Sequence, residues 1–209
     1  MNIGTLNART VESMVEAGKR ANQAGVPVVL DPVGAGASAL RNETTERLLK
    51  EVKLTVLRGN LSEISFIAGE QSNTKGVDAG EADADNDAVA IAKKVAKQLG
   101  CVVGITGQVD VVSDGTRVAK IENGVKLLGK VTGTGCMTSA LVGSYCGANR
   151  DAFTATVAGI ATMGMAGEIS YKAQADRGTG SFHIGIIDAV SRMDGETVKA
   201  WAKLHEVER

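Results

Sequence analysis

The chain has 209 residues, 23 Lys and Arg against 24 Asp and Glu, and a net charge of -1. That length holds one large domain with a full core, and the even charge excludes a surface built for nucleic acid or an acidic membrane, which needs a basic surplus. Apolar residues at 44% exclude a largely disordered chain; no run reaches the ~18 apolar residues of a membrane span, and Met1 to Arg9 lack the layout of a signal peptide.

In chain order, Val11, Met14, Val15 and Ala21 recur at helical spacing after a strand tail at Asn2 to Leu6, with Gly25 as a stop. The apolar run Val26 to Leu30 predicts a buried strand closed by Asp31-Pro32, and Ser38 opens a helix. Leu54 to Leu57 predicts a second buried strand. Asp78, Glu81, Asp83, Asp85 and Asp87 read as a solvated acidic loop in front of a helix over 88–99, where they suit the helix dipole. Gly100 stops that helix, and Cys101 to Gly107 follow as a strand. Helix, glycine stop and β-branched strand, stated twice, is the grammar of a buried parallel sheet. Val109 to Val112, Val118 to Ile121 and Val125 to Val131 predict an antiparallel meander turning at Asp114-Gly115 and Asn123-Gly124. Thr134 to Ala175 predicts two close-packed helices parted near Asn149-Arg150-Asp151, and a last helix pair covers about 181–193 and 195–206.

There are 26 Gly but only 2 Pro, and aromatic residues make up 3%. Glycine in that proportion points to backbone that must approach something closely, with Ala and Val filling the core in place of rings. Cys101, Cys136 and Cys146 have no CxxC spacing and read as free thiols in a reducing cytoplasm. The fold class expected is α/β, a mainly parallel sheet with helices on both faces and an antiparallel edge. Ligands of such sheets sit beyond the carboxyl ends of the strands.

Four strand ends carry chemistry. Asp31, followed by Gly34 and Gly36, can hold Mg2+ through water, or can simply cap a turn. Arg58 can clamp a phosphate at two points; Asn60 and Glu63 have the spacing of a capping box and need mean nothing more. Thr106-Gly107 can touch a phosphate, although Thr-Gly is also a common turn. Val131-Thr132-Gly133-Thr134-Gly135-Cys136 runs small residues into a helix start, where bare amides and the helix dipole favour an anion. It is neither a Walker loop nor GxGxxG, and a tight helix–sheet contact would also call for small residues there. Cys136 lies in the first turn of that helix, but neither His183 nor His205 sits in a motif that would make it a covalent nucleophile. Cys101 and Cys146 read as small core residues.

Together these segments resemble the ribokinase-like superfamily and, within it, the hydroxyethylthiazole kinase family of thiamine salvage. The resemblance runs from Asn2 to about Ala202, and rests on Leu30 to Ala35, Leu57 to Ile64, Lys75-Gly76-Val77-Asp78 and Val131 to Met137. It implies a three-layer αβα sandwich and transfer of the γ-phosphate of Mg-ATP to the hydroxyl of 4-methyl-5-(2-hydroxyethyl)thiazole. It implies that Asp31 and Glu63 organise Mg2+ and its waters, and that Arg58 and Thr106 contact ATP. Gly133 is implied to touch the thiazole alcohol, and Gly133, Thr134 and Gly135 to form the anion hole. Cys136 stands where most relatives carry an Asp as base for the substrate hydroxyl.

The resemblance further implies that residues 1–209 are one kinase domain, lacking a first strand and helix that relatives carry ahead of Asn2. A homotrimer with acceptor pockets at its interfaces is implied once such a segment is supplied. The readings that compete are a nucleotide-binding remnant that transfers nothing and another ribokinase-like small-alcohol kinase. Gly-Thr-Gly-Cys in place of Gly-x-Gly-Asp argues against the latter. A dinucleotide-binding protein would show GxGxxG after its first strand with an acid about 20 residues on, and no such pair is present.

Overall fold

A computed structural model describes residues 1–70 and 81–206. Helix α1 (Ala8–Gln23) starts where the Asn7 side chain accepts the Thr10 amide and Thr10 answers through its hydroxyl, a reciprocal cap. It stops at Gly25, whose φ of 67° only glycine adopts cheaply. Strand β1 (Val29–Leu30) is short, and helix α2 (Ala39–Glu51) is capped by Ser38. Strand β2 (Val56–Asn60) runs directly into helix α3 (Leu61–Ile67). Helix α4 (Glu81–Leu99) precedes strand β3 (Val102–Thr106). Strands β4 (Asp110–Ser113) and β5 (Val118–Ile121) form the hairpin expected at Asp114-Gly115, with Asp114 Oδ1 accepting the Thr116 and Arg117 amides. Helices α5 (Thr134–Ala148) and α6 (Ala152–Gln174) part at Asn149 to Asp151 as expected. Helix α7 (Thr179–Ser191), helix α8 (Gly195–Trp201) and strand β6 (Leu204–Glu206) complete the order.

The described strands make one mixed sheet in the order β1 to β6, parallel from β1 to β3 and antiparallel from there on. Residues alternate across it as the pleat demands. Leu30, Leu57, Val103, Ile105 and Val111 face one core, shared with α1 to α4. Val29, Val56, Val102, Val112 and Ile121 face the other, shared with α5, α6 and α8. The result is three layers, helix on sheet on helix, with α7 packed outside α6 through Phe182 and Ile186.

Three expectations are corrected. Val125 to Val131 is not a strand: Lys126–Lys130 is a 3₁₀ turn. Gly167 of α6 leaves room for Leu128, whose Cδ1 would lie 2.8 Å from a Cβ there, and that packing coils the segment against α6. The last helix stops at Trp201, and Leu204 to Glu206 pair with β5 as an exposed edge strand that shows no apolar alternation. Glu81, Asp83, Asp85 and Asp87 lie inside α4, which starts seven residues before the expected 88, rather than in a loop ahead of it. Asp78 and the Lys75–Asp78 motif fall outside the described residues. One described helix, α6, is long and apolar enough to cross a membrane, but 72% of its most apolar window is buried between sheet and helices. Cys101 and Cys146 are buried free thiols, as expected of core residues, whereas Cys136 is exposed.

The glycine excess has a packing cause where α5 crosses α6. A Cβ on Gly159 would stand 2.7 Å from Val142 Cα and 2.8 Å from its nitrogen, backbone that cannot step aside. Alanine is the better helix former by about 1 kcal/mol, but overpacking a rigid contact costs about 1–3 kcal/mol, so the clash wins. A Cβ on Gly147 of α5 would meet nothing within 4 Å among the described residues. Gly159→Ala is expected to lower the urea midpoint and Gly147→Ala to hold or raise it; equal shifts in both would show that the crossing is not tight.

Candidate active site

Asp31 lies at the end of β1 and is only 2% exposed. A buried carboxylate needs donors, and three converge on its Oδ2: the Ser139 hydroxyl at 2.8 Å, the Asn2 amide at 3.1 Å and Arg58 Nη1 at 3.4 Å. Arg58, one strand over in β2, is itself buried. Its Nη1 also donates to the Gly135 carbonyl at 3.2 Å, and its Nη2 to the Thr106 hydroxyl at 2.5 Å. Gly135 permits this, because a Cβ there would stand 3.2 Å from Nη1. The ends of β1, β2 and β3 and the tip of α5 are thus tied through one guanidinium.

The α5 tip is opened by Gly133 at φ 98°, and among the described residues nothing lies within 4 Å of where its side chain would be. The Thr134 hydroxyl turns away to the carbonyls of Leu128 and Val131, so Thr134 offers its amide rather than its side chain to an anion. Cys136 follows in the first turn, with the Asn2 amide donating to its sulfur at 3.3 Å.

Glu63 does what the capping spacing predicts: Asn60 accepts the Glu63 amide at 2.9 Å, and Glu63 Oε2 accepts the Asn60 amide at 2.8 Å. It also does more, since Oε1 accepts the Gly34 amide at 2.8 Å and so ties α3 to the glycine turn after Asp31. Among the described residues no group of three or more His, Cys, Asp or Glu side chains could cage a metal. Asp31 after β1 and Glu63 in α3, joined to the turn that follows Asp31 through Gly34, instead suit Mg2+, which keeps most of its waters and takes one or two carboxylates plus substrate phosphates.

A cavity of about 710 Å3 opens beside this cluster, bounded by Arg58, Thr106, Asp110, Gly124, Thr134 and Gly135. A second, of about 390 Å3, lies between the Gly34–Ala37 turn and Glu63. Asp110 bounds the first and accepts the Gly107 amide at 2.9 Å. Burial pushes its carboxyl up to about 7, against the pull of that amide and of Arg58. The far wall hangs on buried Glu168 of α6, which accepts the Gly124 amide at 2.8 Å and Lys203 Nζ at 3.0 Å.

Comparison with known proteins then decides the family. The hydroxyethylthiazole kinase family matches residues 1–196. A hydroxyethylthiazole kinase from Ruminiclostridium cellulolyticum is 61% identical over 208 residues, 99% of this chain and 76% of that protein. The chain belongs to the hydroxyethylthiazole kinase family. A solved structure of the hydroxyethylthiazole kinase protein from Pyrococcus horikoshii OT3 superposes with a TM-score of 0.88 at 38% identity, over 99% of this chain and 76% of that one. A pyridoxal kinase from Staphylococcus aureus shares the fold alone, with a TM-score of 0.55 at 23% identity over 78% of this chain and 58% of its own. The three-layer architecture is accordingly the ribokinase-like one.

Within this hydroxyethylthiazole kinase fold, Asp31, Arg58, Thr106, Gly133, Gly135 and Cys136 meet at one corner, with Glu63 joined to it through Gly34. His205 sits instead in β6, 3.5 Å from Glu122, and His183 lies in α7. Sequence reasoning missed Asn2, Ser139, Asp110 and Glu168. Ser139 was within reach, because a residue three after Cys136 on a helix shares its face; the other three come together only across the fold.

Asp110 yields a pH prediction. With its folded value raised above the ordinary carboxylate value, the native state holds a proton that the unfolded chain has lost. Its ionisation therefore costs stability progressively as pH rises from ~4 to ~7, and the full cost applies above that. Asp110→Asn keeps an oxygen for Gly107 and loses that cost. The melting temperature of the variant, less that of the parent, is expected to be a few degrees larger at about pH 8 than at about pH 4.5. A difference that stays constant with pH would mean Asp110 is ionised throughout.

Proposed function

We propose that this chain transfers the γ-phosphoryl group of Mg-ATP to the hydroxyl of 4-methyl-5-(2-hydroxyethyl)thiazole. The observation that carries the proposal is Arg58 lying against the tip of α5, bonded to the Gly135 carbonyl and the Thr106 hydroxyl. That places a fixed positive charge beside helix-start amides, over a cavity of about 710 Å3 that suits a nucleotide. Family membership supports the choice of acceptor.

Phosphoryl transfer asks a protein mainly for positioning and for charge directed at the equatorial oxygens. The amides of Gly133, Thr134 and Gly135 and the dipole of α5 supply such charge at the group in flight. Arg58 and Thr106 hold the nucleotide phosphates. Asp31 and Glu63 would hold Mg2+ through water, and the ion neutralises charge on the phosphate oxygens when bound. Gly133, with no side chain, leaves the acceptor hydroxyl room to approach along the helix axis.

Cys136 faces that hydroxyl and, as a thiolate, takes its proton as the oxygen attacks the γ-phosphorus and the bond to the departing ADP oxygen breaks. A thiol serves this role less well than a carboxylate, but the base supplies only part of the rate. Residues 1–209 act as a single kinase domain.

Purified chain with Mg-ATP and the thiazole alcohol should release ADP together with the thiazole phosphate ester, followed by a coupled assay and by mass. ATP binding without turnover would favour the nucleotide-binding remnant. Cys136→Asp is expected to keep or raise kcat, and Cys136→Ala to retain measurable turnover; complete loss in both would point to covalent chemistry at the sulfur.

A further inference from the structure

Asn2 stands between the two chemically distinct halves of the corner. Its Nδ2 lies 3.1 Å from Asp31 Oδ2 and 3.3 Å from Cys136 Sγ, and its Oδ1 accepts the Gly4 amide at 2.8 Å. A side-chain amide carries two N–H groups and one carbonyl, so all three contacts are served at once. The orientation of the amide follows from its partners. Turned over, it would set its oxygen against the Asp31 carboxylate and its NH2 against the Gly4 N–H, one repulsive contact and one donor facing a donor. The Asn2 backbone is fixed as well, bridged in parallel register to Asp31, with the Ile3 amide donating to the Asp31 carbonyl at 3.2 Å.

We propose that Asn2 is a positioning residue of the transfer site, one amide nitrogen holding the Cys136 sulfur and the Asp31 carboxylate at a fixed separation. The proposal rests on the phosphoryl-transfer reading above and adds a residue that reading did not contain. Its consequences are specific. The sulfur is an acceptor on the Asn2 side, so a thiol hydrogen must point elsewhere, and the Asn2 N–H fixes where the sulfur sits. The exposed face of Cys136 is left for the acceptor hydroxyl. On the other side, Asn2, Ser139 and Arg58 all load Oδ2 of Asp31, and Oδ1 takes none of these three bonds.

Asn2→Asp separates positioning from a plain structural role. It keeps the shape and the oxygen that Gly4 needs, but replaces the donor with a second acceptor against both Asp31 and Cys136. Asn2→Ala removes everything. Two readouts are taken on the full chain. The first is alkylation of Cys136 by iodoacetamide, mapped by peptide mass; Cys101 and Cys146 are buried and react later. The second is steady-state kinetics with Mg-ATP and the thiazole alcohol.

Asn2→Asp is expected to slow Cys136 alkylation at neutral pH several-fold and to lower kcat by ~10-fold or more, with the KM for ATP within ~2-fold of the parent. Asn2→Ala is expected to lower kcat as well, by much less in a Cys136→Ala background than in the parent, the non-additivity of residues acting together. Parental alkylation and kcat in Asn2→Asp would overturn the proposal, since a merely structural Asn2 needs only its oxygen. Additive effects in the double variant would overturn it too. Should Asn2→Asp fail to fold, the cycle with Asn2→Ala decides. If the parent chain turns nothing over, the kinase reading falls, and the alkylation rate alone still passes or fails Asn2.

Discussion

A guanidinium placed at the buried end of a strand must find acceptors or the strand cannot stay there. Arg58 solves this by joining three elements: the Asp31 carboxylate after β1, the Thr106 hydroxyl at the end of β3 and the Gly135 carbonyl on α5. The pair with Asp31 is buried, with side-chain exposures of 10% and 2%. Removing either partner leaves an uncompensated interior charge, a loss of about 3–5 kcal/mol in comparable cases. The same bonds that make the charge tolerable aim it at the mouth of the large cavity. Arg58 Nε is buried without a partner among the described residues, so the group is satisfied at its fork rather than along its whole length. Stability and the proposed function draw on one constraint, that positive charge has to sit between strand ends and a helix tip.

The small residues follow from the same geometry. An α5 that brings its first turn onto Arg58 must run close to α6 and to the sheet. Gly135 admits the guanidinium, Gly159 admits the Val142 backbone, and Gly164 admits Asn123, whose carbonyl would stand 2.5 Å from a Cβ there. Large rings would hold these layers apart, and the core is accordingly Val, Ile, Leu, Ala and Met with few aromatics. Glu168 then anchors the Asn123-Gly124 turn from α6, so the helix that packs the core also holds the wall of the cavity. The glycines are spread over many positions because close approach is demanded at several crossings, not at one loop.

Capping and the proposed metal-holding role share residues at α3. Asn60 and Glu63 close a reciprocal cap, and the same Glu63 accepts the Gly34 amide. The capping reading and the functional reading are therefore not rivals. A carboxylate locked by two backbone amides is held still, and a still carboxylate is what a water-bridged divalent ion needs. Asp31 is held in the same way by Ser139, Asn2 and Arg58.

What was legible in the sequence was local. The stops at Gly25 and Gly100, the caps at Ser38 and Asn60 and the hairpin at Asp114-Gly115 all depend on backbone preferences and on partners within a few residues, and they stand where expected. Three of the four expected strand ends, those of β1, β2 and β3, were legible as well, because a parallel sheet puts its loops on one edge and polar residues there have few other reasons to occur; the fourth segment, ahead of α5, follows a 3₁₀ turn rather than a strand. Elements whose conformation answers to distant partners were not legible. Lys126 to Lys130 coils because Leu128 seats on Gly167, and Leu204 to Glu206 is a strand because β5 has an open edge. Asn2 and Asp110 carry no motif, and they matter through what the fold brings to them. By itself the sequence determined which residue types stand at the strand ends and at the start of α5, since local backbone chemistry selects them. Only the tertiary structure decided that Arg58, Asp31 and Cys136 share one corner with Asn2 between the last two, because bonds across 77, 27 and 134 residues are set by how layers pack, not by any spacing along the chain.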